Sequence, residues 1–184
     1  MPEYSPLPNQ VQEICRALHA PPRLVAHLIL VHDLAGKLVK EIARLWLDAD
    51  FDRGRVLFGA ATHDIGKAVY PEELVAPGHK HERKGTELLE EYGVPKSWAR
   101  FAYTHANWKD EPTITLEDML VALADNLWKG KRLAELEDRF VKTVCASTGK
   151  ETWEVFAEFD QICESLASEA DARLAWQAGF PVGT

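Results

Sequence analysis

Six candidate metal-binding side chains, His27, His63, Asp64, His81, His105 and Asp125, are scattered over about a hundred positions of a chain patterned almost throughout for helix. Imidazoles and carboxylates are the donors that a hard-to-borderline divalent cation takes. Residues so far apart meet only if the fold brings several helices back to one point. That requirement restricts the chain more than its composition does.

Proline and glycine divide the pattern. Residues 9–19 form a short helix after a proline-rich lead, and Pro21-Pro22 break the chain and start the next helix. Over 22–47, Leu24, Leu28, Val31, Ala35, Leu38, Ile42 and Leu45 recur in steps of four and three and draw one narrow stripe. His27 and His32 flank the stripe on opposite sides, and Asp33 points away from it, so periodicity leaves both histidines open. Residues 53–65 read as a helix stopping near Gly66, which puts His63 and Asp64 at a helix end where neighbouring side chains can reach one ion. Gly59-Ala60-Ala61-Thr62 just before them permits close packing. Residues 67–79, with Pro71, Pro77 and Gly78, form a loop. Helices follow over about 80–92, 96–106 and 115–130, with Thr115 and Asp118 spaced for a helix cap. Residues 131–146 and 151–177 complete the chain, and no strand is expected.

Asp125 lies among Leu120, Val121, Leu123, Leu127 and Trp128, where a carboxylate is costly unless it is paired or bound to a cation. Lys129, Lys131 and Arg132 follow it, placed either to bind a phosphate or to complement a helix C-terminus. Trp153, Phe156, Phe159, Ile162 and Leu166 recur at helical spacing and either pack the last helix onto the domain or form a homodimer face. Glu87, Glu90 and Glu91 read as a solvated face.

The order His, His-Asp, His, His, Asp resembles the HD-domain superfamily of metal-dependent phosphohydrolases over about residues 20–132. The resemblance is carried by HDIGK at 63–67, PEEL at 71–74, His81 with Gly85 four residues on, the opening segment HLILVHDLA and the closing ALADNLW. Many relatives have a His-His pair near His105, where this chain has Tyr103-Thr104-His105-Ala106-Asn107. The Gly-Tyr-Pro signature of the cyclic-dinucleotide phosphodiesterase branch is not present. The resemblance implies an all-α fold, a single HD-type bundle of about seven helices spanning 1–184, with the helices of 133–178 packed onto it. Its register favours His27 over His32 and His81 over His79, which stays open as a competitor. It implies one or two divalent metal ions per chain, with Mn, Fe, Co, Ni, Zn and Mg not distinguished. His27, His63, Asp64 and Asp125 would hold the first, and Asp64 would bridge to a second on His81 and His105. Asp64 would orient a water and Lys67 would face the phosphate, with Lys129 and Arg132 binding substrate. The implied substrate is a small phosphorylated metabolite, a nucleotide above all. Two other readings keep the residues and change the outcome: a di-iron oxygenase acting on inositol or phosphonate substrates, and a non-catalytic nucleotide sensor.

Composition narrows the partners. A net charge of −8 argues against a broad nucleic-acid surface, which needs a basic face. Cys15, Cys145 and Cys163 are far apart and odd in number, which suggests buried thiols in a reducing cytoplasm rather than a disulfide framework. The opening MPEYSPLPNQ lacks the basic and apolar regions of a signal peptide. No run approaches the ~18 apolar residues of a membrane span.

Overall fold

The computed structural model describes residues 3–183. They form ten α-helices: α1 (Asn9–Ala17), α2 (Pro22–Leu45), α3 (Arg53–Thr62), α4 (Lys80–Glu91), α5 (Lys96–Ala99), α6 (Phe101–Asn107), α7 (Leu116–Leu127), α8 (Ala134–Thr148), α9 (Thr152–Ala167) and α10 (Ala170–Ala178). Two 3-10 turns, Ile65–Ala68 and Pro71–Leu74, join α3 to α4. There is no strand among the described residues, so the all-α expectation holds.

The central strut is α2, 24 residues long, or ~36 Å at 1.5 Å per residue. Pro22 starts it, where a missing amide hydrogen costs nothing. Of its stripe, Leu24, Leu28, Val31, Ala35, Leu38 and Ile42 expose nothing, and Leu45 at its end is partly buried. Around its later half, α3, α7, α8 and α9 close a core that includes Trp46, Phe140 and Phe159. A second cluster joins α1 and the start of α2 to α3, Ile65 and α4 to α6. The centre lies where these two cores meet.

Ten helices form where the resemblance implies about seven and the sequence pattern marks eight stretches, because two long stretches break. The 96–106 stretch is interrupted at Arg100, and 151–177 divides between α9 and α10 at 168–169. The 67–79 loop contains short helical turns that a 3.6-residue period cannot show. The cap before α7 forms as the spacing indicates: Thr115 accepts from Asp118 N while Asp118 accepts from Thr115 N, a reciprocal capping box. Asp33 departs from expectation. It is buried, accepts hydrogen bonds from Ser5 N and Ser5 Oγ at 3.0 Å each, and pairs with Lys37 at 3.2 Å. The N-terminal lead folds over α2, and this contact is invisible to the helix's own periodicity.

The C-terminal helices are anchored to the site-bearing elements. Arg173 of α10 is 2% exposed and donates to Trp128 O at 2.7 Å, Leu127 O at 3.2 Å and Leu166 O at 2.6 Å. Beyond α10, Phe180 O and Ala178 O accept from Arg23 at the start of α2. In the aromatic series Phe159 and Ile162 are core, whereas Trp153 and Phe156 are exposed. No helix of the described residues is long and apolar enough to cross a membrane.

Candidate metal centre

Five elements deliver the six side chains. His27 stands in the second turn of α2, His63 and Asp64 follow the last residue of α3, His81 opens α4, His105 lies in α6 and Asp125 near the end of α7. Close backbone approach makes the meeting possible. A Cβ at Gly59 would sit 2.7 Å from the Phe101 ring and 2.9 Å from Val121, so the glycine lets α3 lie against α6 and α7. A Cβ at Gly66 would sit 2.0 Å from His81 O, so the turn after Asp64 can touch α4 only with glycine there.

The side chains form two groups whose donor atoms could each hold a metal ion: His27, His63 and Asp125, and Asp64, His81 and His105. In the first, His27 Nε2 lies 3.1 Å from His63 Nε2, and Asp125 Oδ1 lies 3.7 and 3.4 Å from these two nitrogens. Asp64 stands between the groups. Its Oδ2 is 2.9 Å from His27 Nε2 and 3.6 Å from His63 Nε2, while its Oδ1 is 3.0 Å from His81 Nε2 and 3.6 Å from His105 Nε2. Three of the four rings have the outward Nδ1 held: His63 by Ala60 O at 2.9 Å, His105 by Phe101 O at 3.1 Å and His81 by Glu73 at 2.5 Å. An Nδ1–H so occupied leaves the Nε2 lone pair facing inward, as ligation requires.

Electrostatics prepare the same donors. Burial, then the charge of His63, pushes His105 down to about 4. Burial also lowers His27, although Asp64 beside it works the other way. Burial opposes ionisation of Asp64, but the charges of His63 and Lys67 and the close contacts with His27 and His81 together hold it well below the carboxylate range. Asp125 is likewise buried and likewise lowered, by His63 and Lys129. Burial lowers His81 as well, yet its contacts with Asp64 and Glu73 prevail and raise it. Two ionised carboxylates thus face the imidazoles, of which burial keeps His27 and His105 below their ordinary value. Asp64 Oδ1 is buried with no well-directed hydrogen bond, despite lying 3.0 Å from His81 Nε2. An orphaned carboxylate oxygen among convergent imidazole nitrogens fits a divalent cation better than a hydrogen-bonded core.

His27, Asp64, His81, His105 and Asp125 line a cleft of about 760 Å³, of a size that takes a small-molecule ligand, with His63 buried behind it. Lys67 lies on Asp64 Oδ2 at 2.6 Å, and Lys129 is 3.4 Å from Asp125 Oδ2. Lys109 and Lys131 add cations to the rim, with Trp108, Trp128 and Gln177 completing the wall. Arg132 departs from the sequence expectation. Its guanidinium is taken up by Glu137 at 2.6 and 2.8 Å and Asp160 at 2.7 Å, it does not line the cleft, and Lys131 stands there in its place. His32 lies outside both donor groups. The His79 side chain is 89% exposed and bonds Glu82 at 3.0 Å, so it stands at the mouth of the cleft rather than in the centre. Thr104 turns from the centre and donates to buried Asp118 at 2.7 Å. Glu73, Lys109 and Gln177 escape sequence reasoning. Only Glu73 had a signal, the acidic PEEL segment after HDIGK, and nothing in that segment tells Glu72 from Glu73.

A family model described as HD domain matches residues 12–128. An uncharacterised protein of Methanocaldococcus jannaschii is 30% identical over 129 residues, covering 62% of this chain and 72% of the relative. No solved structure matches the chain.

Proposed function

The chain belongs to the HD-domain family, and from that premise we propose that it is a metal-dependent phosphohydrolase acting on a small phosphorylated metabolite, a nucleotide above all. The observation that carries this reading is Asp64, whose two oxygens face two different histidine groups. His27, His63 and Asp125 would hold one cation and His81 and His105 a second, with Asp64 offering one oxygen to each. Such a pair would supply acidity to a water and positive charge to the phosphoryl and leaving oxygens.

The chain's own residues do the rest. Asp64 accepts a hydrogen bond from the attacking water and sets its line toward phosphorus. Lys67, already 2.6 Å from Asp64, turns its ammonium to a phosphoryl oxygen and steadies the charge that develops there. Lys129 and Lys131 bind the remainder of an anionic substrate at the rim. Four rim lysines in a chain of net charge −8 make a local basic site without a basic surface.

The test is a screen of nucleotides and simple phosphoesters with protein loaded in turn with each candidate metal, and with His63→Ala alongside. Phosphate release that requires metal and disappears in the variant supports the reading. Absence of release from every phosphoester, with oxygen uptake by the iron-loaded protein, transfers the site to oxygenase chemistry.

A further inference from the structure

Glu73 is a carboxylate that the hydrolytic scheme leaves without a role. It lies in the turn Pro71–Leu74, over the start of α4. Its Oε1 accepts from Lys80 N at 3.1 Å, and its Oε2 accepts from His81 N at 3.2 Å and lies 2.5 Å from His81 Nδ1. The other end of that imidazole, Nε2, is 3.0 Å from Asp64 Oδ1. His81 is therefore held between two carboxylates, whereas His63 and His105 rest their Nδ1 atoms on neutral carbonyls. The difference falls on the group with fewer donors. The inner group has two histidines, Asp125 and one oxygen of Asp64, and the outer group has two histidines and the other oxygen.

We infer that Glu73 is a positioning residue for the outer cation: it fixes His81 as an Nε2 donor and strengthens that donor by accepting the Nδ1 proton. A carboxylate behind a ligating imidazole fixes its tautomer and orientation and raises its basicity, and losing such a partner costs ~10–100-fold in metal affinity. The two backbone bonds hold the carboxylate in place at a helix N-terminus, where negative charge is favoured. The inference rests on the metal reading above, and the experiment separates the two.

The experiment is a cobalt(II) titration of the full metal-free chain, native and Glu73→Gln, read by calorimetry, with proton spectra of the loaded forms. The native chain takes two cobalt ions. Glu73→Gln keeps the tight ion at native affinity and binds the second ~10–100-fold more weakly. Its exchangeable His81 Nδ1 proton resonance shifts and exchanges faster, an effect that a mere loosening of the turn does not confine to one ring. Gly78→Ala serves if Glu73→Gln fails to fold. A Cβ there would sit 2.3 Å from Glu73 Oε1, which displaces the carboxylate while keeping its charge. A native chain that binds no second cobalt overturns the two-metal reading and this inference with it. Two native cobalt ions with an unaltered second affinity in the variant, or equal weakening of both ions, overturn this inference alone.

Discussion

Arg173→Met removes a buried cation whose three hydrogen bonds tie α10 to the ends of α7 and α9. The acceptors are Trp128 O at 2.7 Å, Leu127 O at 3.2 Å and Leu166 O at 2.6 Å. Methionine keeps most of the volume and supplies no donor. Gly130 N still donates to Leu127 O at 3.0 Å, so two carbonyls, Trp128 O and Leu166 O, lose their partner. Each such carbonyl costs ~1–3 kcal/mol, and relief from desolvating the guanidinium returns part of the total, for a net loss of about 2–4 kcal/mol. For a chain of 184 residues each kcal/mol lowers Tm by ~2–4 °C, so the variant should melt about 4–16 °C below the native protein. The effect reaches the site because α7 carries Asp125 and leads to Lys129 and Lys131. The assay is urea and thermal unfolding of metal-free protein, followed by a metal titration in which the inner cation binds more weakly. A loss below about 1 kcal/mol would show instead that water or a shift of α10 satisfies those carbonyls and that Arg173 does not hold α10 in place.

Other outcomes follow from the same geometry. His27→Ala should lose metal, and His32→Ala should keep it with only a modest change in stability, as elemental analysis of the two variants will show. Burial pushes Cys15 up to about 11 and Cys163 up to about 12, whereas Cys145 is partly exposed. A disulfide reagent at pH 8 should therefore modify one thiol in the folded chain and three in denaturant; rapid labelling of all three would contradict this burial. Metal-free protein should lose stability as pH falls from about 6.5 toward 4. Over that interval the unfolded chain protonates His27 and His105, and the folded chain, which holds both below their ordinary value, does not. His81, raised in the fold, acts in the opposite sense and reduces the slope. Urea unfolding at a series of pH values checks the sign.

What was legible in the sequence was whatever repeats or has a chemical signature within one segment. The α2 stripe, the Thr115–Asp118 cap and the His63-Asp64 helix end all stand where local reasoning places them. Local reasoning also left His27 and His32 equal, because both flank the stripe. The family register favours His27, and the fold brings His27, not His32, together with His63 and Asp125. Contacts that depend on a distant partner were hidden. Asp33 faces Ser5 across 28 residues, and Arg132 follows Asp125 closely yet turns to Glu137 and Asp160. Glu73 lies in a turn too short to have a period, and its use depends on α4 arriving beside it.

If Asp64 joins two cation positions, the metal content of saturated, desalted protein, native and His105→Ala, measured together with phosphate release, shows it most directly. The native protein should hold two metals per chain and the variant one, with the tight ion retained and hydrolysis falling steeply. One metal per native chain, with unimpaired hydrolysis after His105→Ala, would contradict it and leave a mononuclear hydrolase.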